Sequence, residues 1–364
     1  MKNLDGDRGG EIARRFADFA QAFASGAPLY SCFADRTARE PEILELMSHA
    51  APMQQKPVLL FASVHYLLLD QLDHPLANHY PNLRPRVKIE PSPPSGVVQD
   101  PSDEFVRFVF DHRSEIAALL TTRSTQTNEI ARCNWFVFPF HLIEEKYGPI
   151  SHIDIGSSAG LTMLFPHLTF DLQPGGVIGD GKGLTIRCTT RGTPPIPTQV
   201  PRVPWSVGID ASPISVLNDE EIRWLEACVW PDQVDRFDRL VAAVDLARQH
   251  KISVRKGDAI NDVAKLIAEA QHHGHPVITT SWVMNYLTPD QRRSFVAELD
   301  RIGATIDFSW VIAESPRETP ELPVTASTDE DITVISLVTW HQGQRNSQRL
   351  ATTHPHGSWV NWGV

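Results

Sequence analysis

At 364 residues, 41% hydrophobic and 21% charged, the chain has room for one large domain or two modest ones, with core enough to fold without disulfide staples. A formal net charge of -11 argues against a lysine- and arginine-lined groove for nucleic acid, and no apolar run approaches the roughly 18 residues of a membrane span. Four scattered cysteines (Cys32, Cys133, Cys188, Cys228) without a C-x-x-C pair point to reduced thiols. The opening MKNLDGDRGGEIARRF lacks the apolar core of a signal peptide, so a cytoplasmic location is expected.

The first third reads as helices. EIARRFADFAQAFA places Ile12, Phe16, Phe19, Ala20 and Phe23 on one face at helical spacing, and Gly26 and Pro28 end it. EPEILELMSHA and PVLLFASVHYLLLDQL follow as helices with a proline near each start, where a missing N–H costs nothing. After the proline-rich loop IEPSPPSGVVQDP, SDEFVRFVFDHRSEIAALL is one capped amphipathic helix, and TNEIARCNWFVFPFHLIEEKYG is another, kinked at Pro139.

From His152 strands alternate with helices. HIDIG, WSVGIDASP, ISVRKGD, PVITTSWVMNYL and DFSWVIAES are expected as five strands in succession, each followed by helical periodicity except the last. DITVISLVTWH and the stretch after Arg349 flank the turn-rich QGQRN and predict a closing antiparallel hairpin. The expectation is an α/β fold, a doubly wound Rossmann-like sheet over 125–364, preceded by an all-helical domain over 1–124 that forms part of a substrate pocket. Residues 170–205, rich in glycine and proline around LTIRCT, read as an inserted hairpin, either a lid or surface decoration.

Ligands of open α/β sheets sit at the carboxyl ends of the strands, near the switch in strand order. Three acids fall there: Asp154 in the first strand, Asp210 after the second and Asp258 after the third. The loop HIDIGSSAGLT lacks the second and third glycines of the dinucleotide fingerprint and the Gly-Lys-Ser/Thr of a P-loop. Its pattern is acid-x-Gly-x-x-x-Gly, with Ser157 and Ser158 between Gly156 and Gly160.

That pattern resembles the first motif of class I S-adenosylmethionine-dependent methyltransferases. The resemblance implies that the backbone of Gly156, Ser157, Ser158 and Gly160 approaches the cofactor's amino-acid part and that Asp154 engages its ammonium, directly or through water. Asp210, with Ala211, would hold the ribose hydroxyls, Asp258 after Gly257 would lie beside the adenine, and Ser281 and Trp282 would lie near the transferable methyl. Asp210 stands 56 positions after Asp154, against about 20 for the analogous ribose acid of dinucleotide folds; the insertion accounts for the excess, and Asp171 is a rival. Over its whole length the chain also resembles an uncharacterised, mostly bacterial family, domain of unknown function 2332, through PLY, HYLLL, TNEIAR, GSSAGLT, GIDASP, VWPDQ, SWVMNYL and HPHGSWVNW.

The implied activity is methyl transfer from S-adenosylmethionine to a small molecule. The alternatives are a non-catalytic regulatory protein that binds the cofactor or a nucleotide, and a serine hydrolase with Ser158 at the centre of a G-x-S-x-G match. Asn128, Glu129 and Arg132 are read on the helix before the first strand, with Arg132 either pairing with the cofactor's carboxylate or serving a structural ion pair. His65, Glu129, Tyr286 and His354 are the candidate bases, each with a plain packing or hydrogen-bonding reading beside it. The HHGH run from His272 to His275 lies at the amino end of a strand, away from the ligand edge, and His354 and His356 lack a thiol or carboxylate partner, so no metal site is expected.

Overall fold

The computed structural model describes residues 6–86, 100–252, 254–323 and 332–363, so most of the proline-rich IEPSPPSGVVQDP lies outside the described residues. In chain order the helices of the first part are α1 (Gly6–Ala22), α2 (Pro28–Thr37), α3 (Pro41–Leu46), α4 (Pro57–Asp70), α5 (Pro101–Asp111), α6 (Arg113–Thr122) and α7 (Asn134–Tyr147). There follow β1 (Ile150–Ile155), β2 (Thr169–Gln173), β3 (Gly176–Ile178), β4 (Thr185–Arg191), β5 (Trp205–Asp210), α8 (Asp219–Ala227) and α9 (Val234–His250). The remainder is β6 (Val254–Lys256), α10 (Ala259–Ala270), β7 (His275–Ser281), α11 (Pro289–Gly303), β8 (Phe308–Glu314), β9 (Thr333–His341), β10 (Gln344–Thr353) and β11 (Trp359–Trp362).

The chain divides into two compact units. One comprises Met1–Thr127 with Asp219–Val241, and the other Asn128–Asn218 with Ala242–Val364. The helical unit therefore takes in α8 and the start of α9, which local periodicity had left between two strands of the α/β part. Four of its helices (α2, α3, α4 and α5) begin on a proline, whose fixed φ suits the first turn. Its core centres on Phe61 of α4, whose ring lies 4.6 Å from that of Tyr30 and 5.8 to 6.3 Å from those of Phe19, Phe105 and Phe33. The single helix expected over SDEFVRFVFDHRSEIAALL is two, because His112 leaves helical dihedrals (φ -111, ψ 27) and turns its ring onto Phe108.

The second unit is built on one eleven-stranded sheet in the order β3-β2-β4-β11-β10-β9-β8-β7-β1-β5-β6. The run from β6 to β8 is all parallel, and in chain order its strands lie third, second, first, fourth and fifth. The strand order thus switches between β1 and β7, the place where open α/β sheets leave a crevice. β8 and β9 are antiparallel, as are β9 and β10, so the expected closing hairpin is present.

The insertion is more than a hairpin. β2 and β3 form one, but β4 pairs in parallel with both β2 and β11, so the segment extends the main sheet at its far edge. A flat sheet would separate β4 from β1 by six strand spacings, about 29 Å, yet α7 touches both strands and β8 as well. The sheet therefore curls around α7. This is why Trp135 to Phe140 are buried without interruption: a helical stretch apolar all round must be enclosed, whereas the polar end of α7 from His141 is partly exposed. The same helix starts later than its sequence suggested. Asn128 and Glu129 precede a short 3-10 turn (Ile130–Cys133), and Glu129 caps that turn by accepting the Ala131 N–H at 3.0 Å. Asn128, Glu129 and Arg132 accordingly precede the helix and do not lie on it.

Candidate functional site

At the carboxyl edge of the parallel strands, three loops interlock around the turn that follows β1. Gly156, Ser158 and Gly160 all have left-handed backbones, with φ of 70, 52 and 72. The N–H groups of Gly156 and Ser157 donate to Ile209 O at 2.8 and 3.3 Å. Asp210 ends β5 and closes the arrangement: its Oδ2 accepts the Ser158 N–H at 2.9 Å and its Oδ1 the Ser212 N–H at 2.8 Å. A Cβ added to Gly156 would lie 2.2 Å from Val283 Cγ2, and one added to Gly208 would lie 2.4 Å from Ser157 Oγ. The loops after β1, β5 and β7 are therefore packed to backbone contact, and glycine is required where they cross.

Beneath the loop, Asp154 is 3% exposed and serves as an anchor. Its Oδ1 accepts the Thr279 hydroxyl at 2.6 Å and its Oδ2 the Thr162 hydroxyl, tying β1 to β7 and to the turn beyond Gly160. Since Thr279 donates to Asp154, its oxygen receives the Nε2–H of His152, 2.7 Å away. Burial pushes the Asp154 carboxyl up to about 6, opposed by the two hydroxyls, and pushes His152 down to about 3, so the imidazole stays neutral.

Arg132 reaches the same edge. It is 7% exposed, lies over the Trp135 ring at 5.3 Å, and donates to Ser281 O at 3.2 Å and Pro355 O at 3.3 Å. Its charge is felt by both Asp154 and Glu314. The HPHG turn packs directly on this segment: a Cβ at Gly357 would lie 2.2 Å from Ala131 O, and Asn134 Nδ2 donates to Gly357 O at 2.9 Å. Four stretches remote in sequence, NEIAR, GSSAG, SWV and HPHG, thus belong to one locality. Trp282 itself is left-handed (φ 57), and its indole N–H donates to Thr333 Oγ1 at 2.7 Å.

One acid of this edge went unrecognised in the sequence. Glu314 ends β8, is 3% exposed, and holds the turn after β7 by accepting the N–H groups of Val283 (3.1 Å) and Met284 (3.3 Å) on Oε1. Burial, opposed chiefly by those two amides, raises it to about 7. The signal was available, since IAESP puts an acid at the end of a buried strand just as HIDIG and VGID do.

The other candidates are distributed more widely. Asp258 caps α10, accepting the N–H groups of Ile260 and Asn261 at 3.0 and 2.9 Å, and the neighbouring Gly257 leaves no room for a Cβ against Asp262 and Ile209. Ala211 is exposed beside Asp210, and Tyr286 is 70% exposed. The His354 ring accepts the His356 N–H at 3.1 Å within the HPHG turn. His65 lies in the core of the helical unit with both ring nitrogens occupied: Nδ1 donates to Ala227 O and Nε2 accepts from Asn82 Nδ2, each at 3.1 Å. Burial lowers it to about 4. Of the HHGH run, His273 stacks on Trp205 and His275 pairs with Ser309 Oγ at 2.9 Å. Among the described residues no group of three His, Cys, Asp or Glu is placed to hold a metal ion, and no helix is long and apolar enough to cross a membrane.

A loop poor in side chains and bordered by Asp154, Asp210 and Glu314 suits a ligand carrying hydroxyls or an ammonium. The family described as an uncharacterized protein conserved in bacteria (DUF2332) matches residues 13–362. No curated protein and no solved structure matches the chain.

Proposed function

The chain belongs to this uncharacterised bacterial family, and from that premise we propose that it is an S-adenosylmethionine-dependent methyltransferase acting on a small molecule, with a Rossmann-like methyltransferase sheet. The observation that carries the reading is the row of acids at the ends of three adjacent parallel strands, Asp154, Asp210 and Asp258, flanking a glycine turn at the switch in strand order. Bound there, the cofactor would supply a sulfonium methyl for in-line attack, a reaction that depends first on proximity and orientation.

The residues divide the work of binding. The turn from Gly156 to Gly160 offers backbone to the amino-acid part, with Arg132 for its carboxylate. Asp210, held in place by two backbone N–H groups, presents its carboxylate to the ribose hydroxyls. Asp258 is pinned by its helix cap beside the adenine position. Asp154 supports the turn from below, so in this reading it acts through the loop it anchors.

Calorimetric titration with S-adenosylhomocysteine, with NADH as control, tests the reading. Micromolar binding of the first ligand is expected, weakened about a hundredfold in Asp210→Ala, which removes both the ribose acceptor and the anchor of the Ser158 and Ser212 amides. No binding at millimolar concentration would remove the methyltransferase assignment. A second reading, a hydrolase, draws support from the left-handed backbone of Ser158 at the centre of Gly156–Gly160, a position where a nucleophile elbow is strained. Turnover of an activated ester that disappears in Ser158→Ala would favour it.

A further inference from the structure

Glu314 has a second oxygen that the turn does not use. Oε1 is committed to the amides of Val283 and Met284, whereas Oε2 is buried and, among the described residues, has no hydrogen-bond partner at bonding geometry. The Thr280 hydroxyl, which accepts the Trp310 indole N–H at 3.0 Å, leaves its own proton facing this carboxyl and lowers its pKa, less than the two amides do. A buried carboxylate oxygen with no donor at bonding distance is costly, and native proteins keep such a group where something else completes it. Glu314 sits at the outer end of β8, and the turn it holds presses Val283 against Gly156 of the cofactor loop.

Asp154, by contrast, spends both oxygens on threonine hydroxyls a layer below. We propose that Glu314, rather than Asp154, is the carboxylate that receives the α-ammonium of the bound cofactor's amino-acid part. The inference rests on the methyltransferase reading and deepens it by assigning one subsite for a cationic amine. An ammonium supplies N–H donors to Oε2 and adds positive charge to a carboxyl already faced by the two amides, the Arg132 guanidinium and the Thr280 hydroxyl.

The assignment has a protonic consequence. Glu314 titrates near 7 in the free protein, and an ammonium favours its ionised form, so ligand binding near neutral pH must expel part of a proton. Affinity for the ammonium then rises by about tenfold as pH goes from about 6 to about 8 and the carboxylate becomes available.

The test uses the full-length protein and two probes, S-adenosylhomocysteine and 5′-methylthioadenosine, which lacks the amino-acid part. Titrations in two buffers of different ionisation enthalpy report proton release on the wild-type protein without any mutation. Release with the first probe and none with the second is expected. In Glu314→Gln, whose amide oxygen still accepts the Val283 and Met284 N–H groups, binding of S-adenosylhomocysteine should weaken ten- to a hundredfold and proton release should vanish, with methylthioadenosine unaffected. Equal affinity and equal release in the variant would overturn the subsite and leave the methyltransferase reading standing. Failure of the wild-type protein to bind either probe would overturn both.

Discussion

Replacing Gly156 by alanine is expected to lower the stability of the α/β unit by about 4 kcal/mol and to abolish binding of S-adenosylhomocysteine. Two costs combine. A left-handed backbone, here with φ of 70, costs an L-residue about 1–2 kcal/mol. The new methyl would also start 2.2 Å from Val283 Cγ2 and 2.8 Å from its Cβ, far inside contact distance, and overpacking of that kind costs about 1–3 kcal/mol. Val283 has little freedom to yield, because its own N–H is held by Glu314 and the next residue, Met284, is fully buried. The strain therefore separates the turn after β1 from the turn after β7, the two elements the ligand would bridge. Urea unfolding and titration of the same variant check both halves. A stable variant that still binds would show that these turns are not mutually dependent.

Asp154 leads to the second large effect, on stability against pH. The folded protein holds its carboxyl near 6, above the ordinary aspartate value of 3.8, chiefly through burial. Between those values the native state keeps a proton that the unfolded chain has lost. The stabilisation is thus complete below about pH 4 and is lost as pH rises through 6, a change of about 3 kcal/mol. His152 works in the opposite sense: held near 3 against 6.5, it costs stability as pH falls below 6.5, because the unfolded chain takes the proton. The two overlap, so the wild-type profile alone is flattened and the comparison must be with Asp154→Asn, which cannot ionise. Relative to that variant the wild-type protein should lose about 3 kcal/mol between about pH 4 and about pH 7. Denaturant titrations of both proteins across this range measure it, and a constant difference would mean that Asp154 is not desolvated in the native state.

Much of the second unit was legible locally. Buried strands of four to eight residues alternating with amphipathic helices impose their own period on the sequence, so β1, β5, β7, β8 and the β9–β10 hairpin could be placed from pattern alone. Small residues after β1 were equally plain, because a left-handed turn in close contact excludes most side chains. Helix starts marked by Pro41 and Pro57 belong to the same class of signal, whereas α5 starts at Pro101 behind an Asp100 cap, one residue earlier than SDEF suggests. α6 and the late start of α7 were missed, since His112 and the Glu129 cap interrupt stretches whose apolar spacing runs on unbroken.

Most elements of the second unit, their alternation and the order of the acids Asp154, Asp210 and Asp258 could be read locally, because each depends on residues within a few positions of one another. What those residues do depends on contacts between segments remote in the chain. Asp154 became an anchor through Thr162 and Thr279, the latter 125 positions away, and Glu314 entered the site only because β8 ends beside the turn that follows β7. The curl of the sheet around α7, the pairing of β4 with β11, and the placement of 219–241 in the helical unit likewise carry no local signature. Hydrogen-bond partners and burial are set by whichever surfaces the fold brings together, and no periodicity along the chain encodes them.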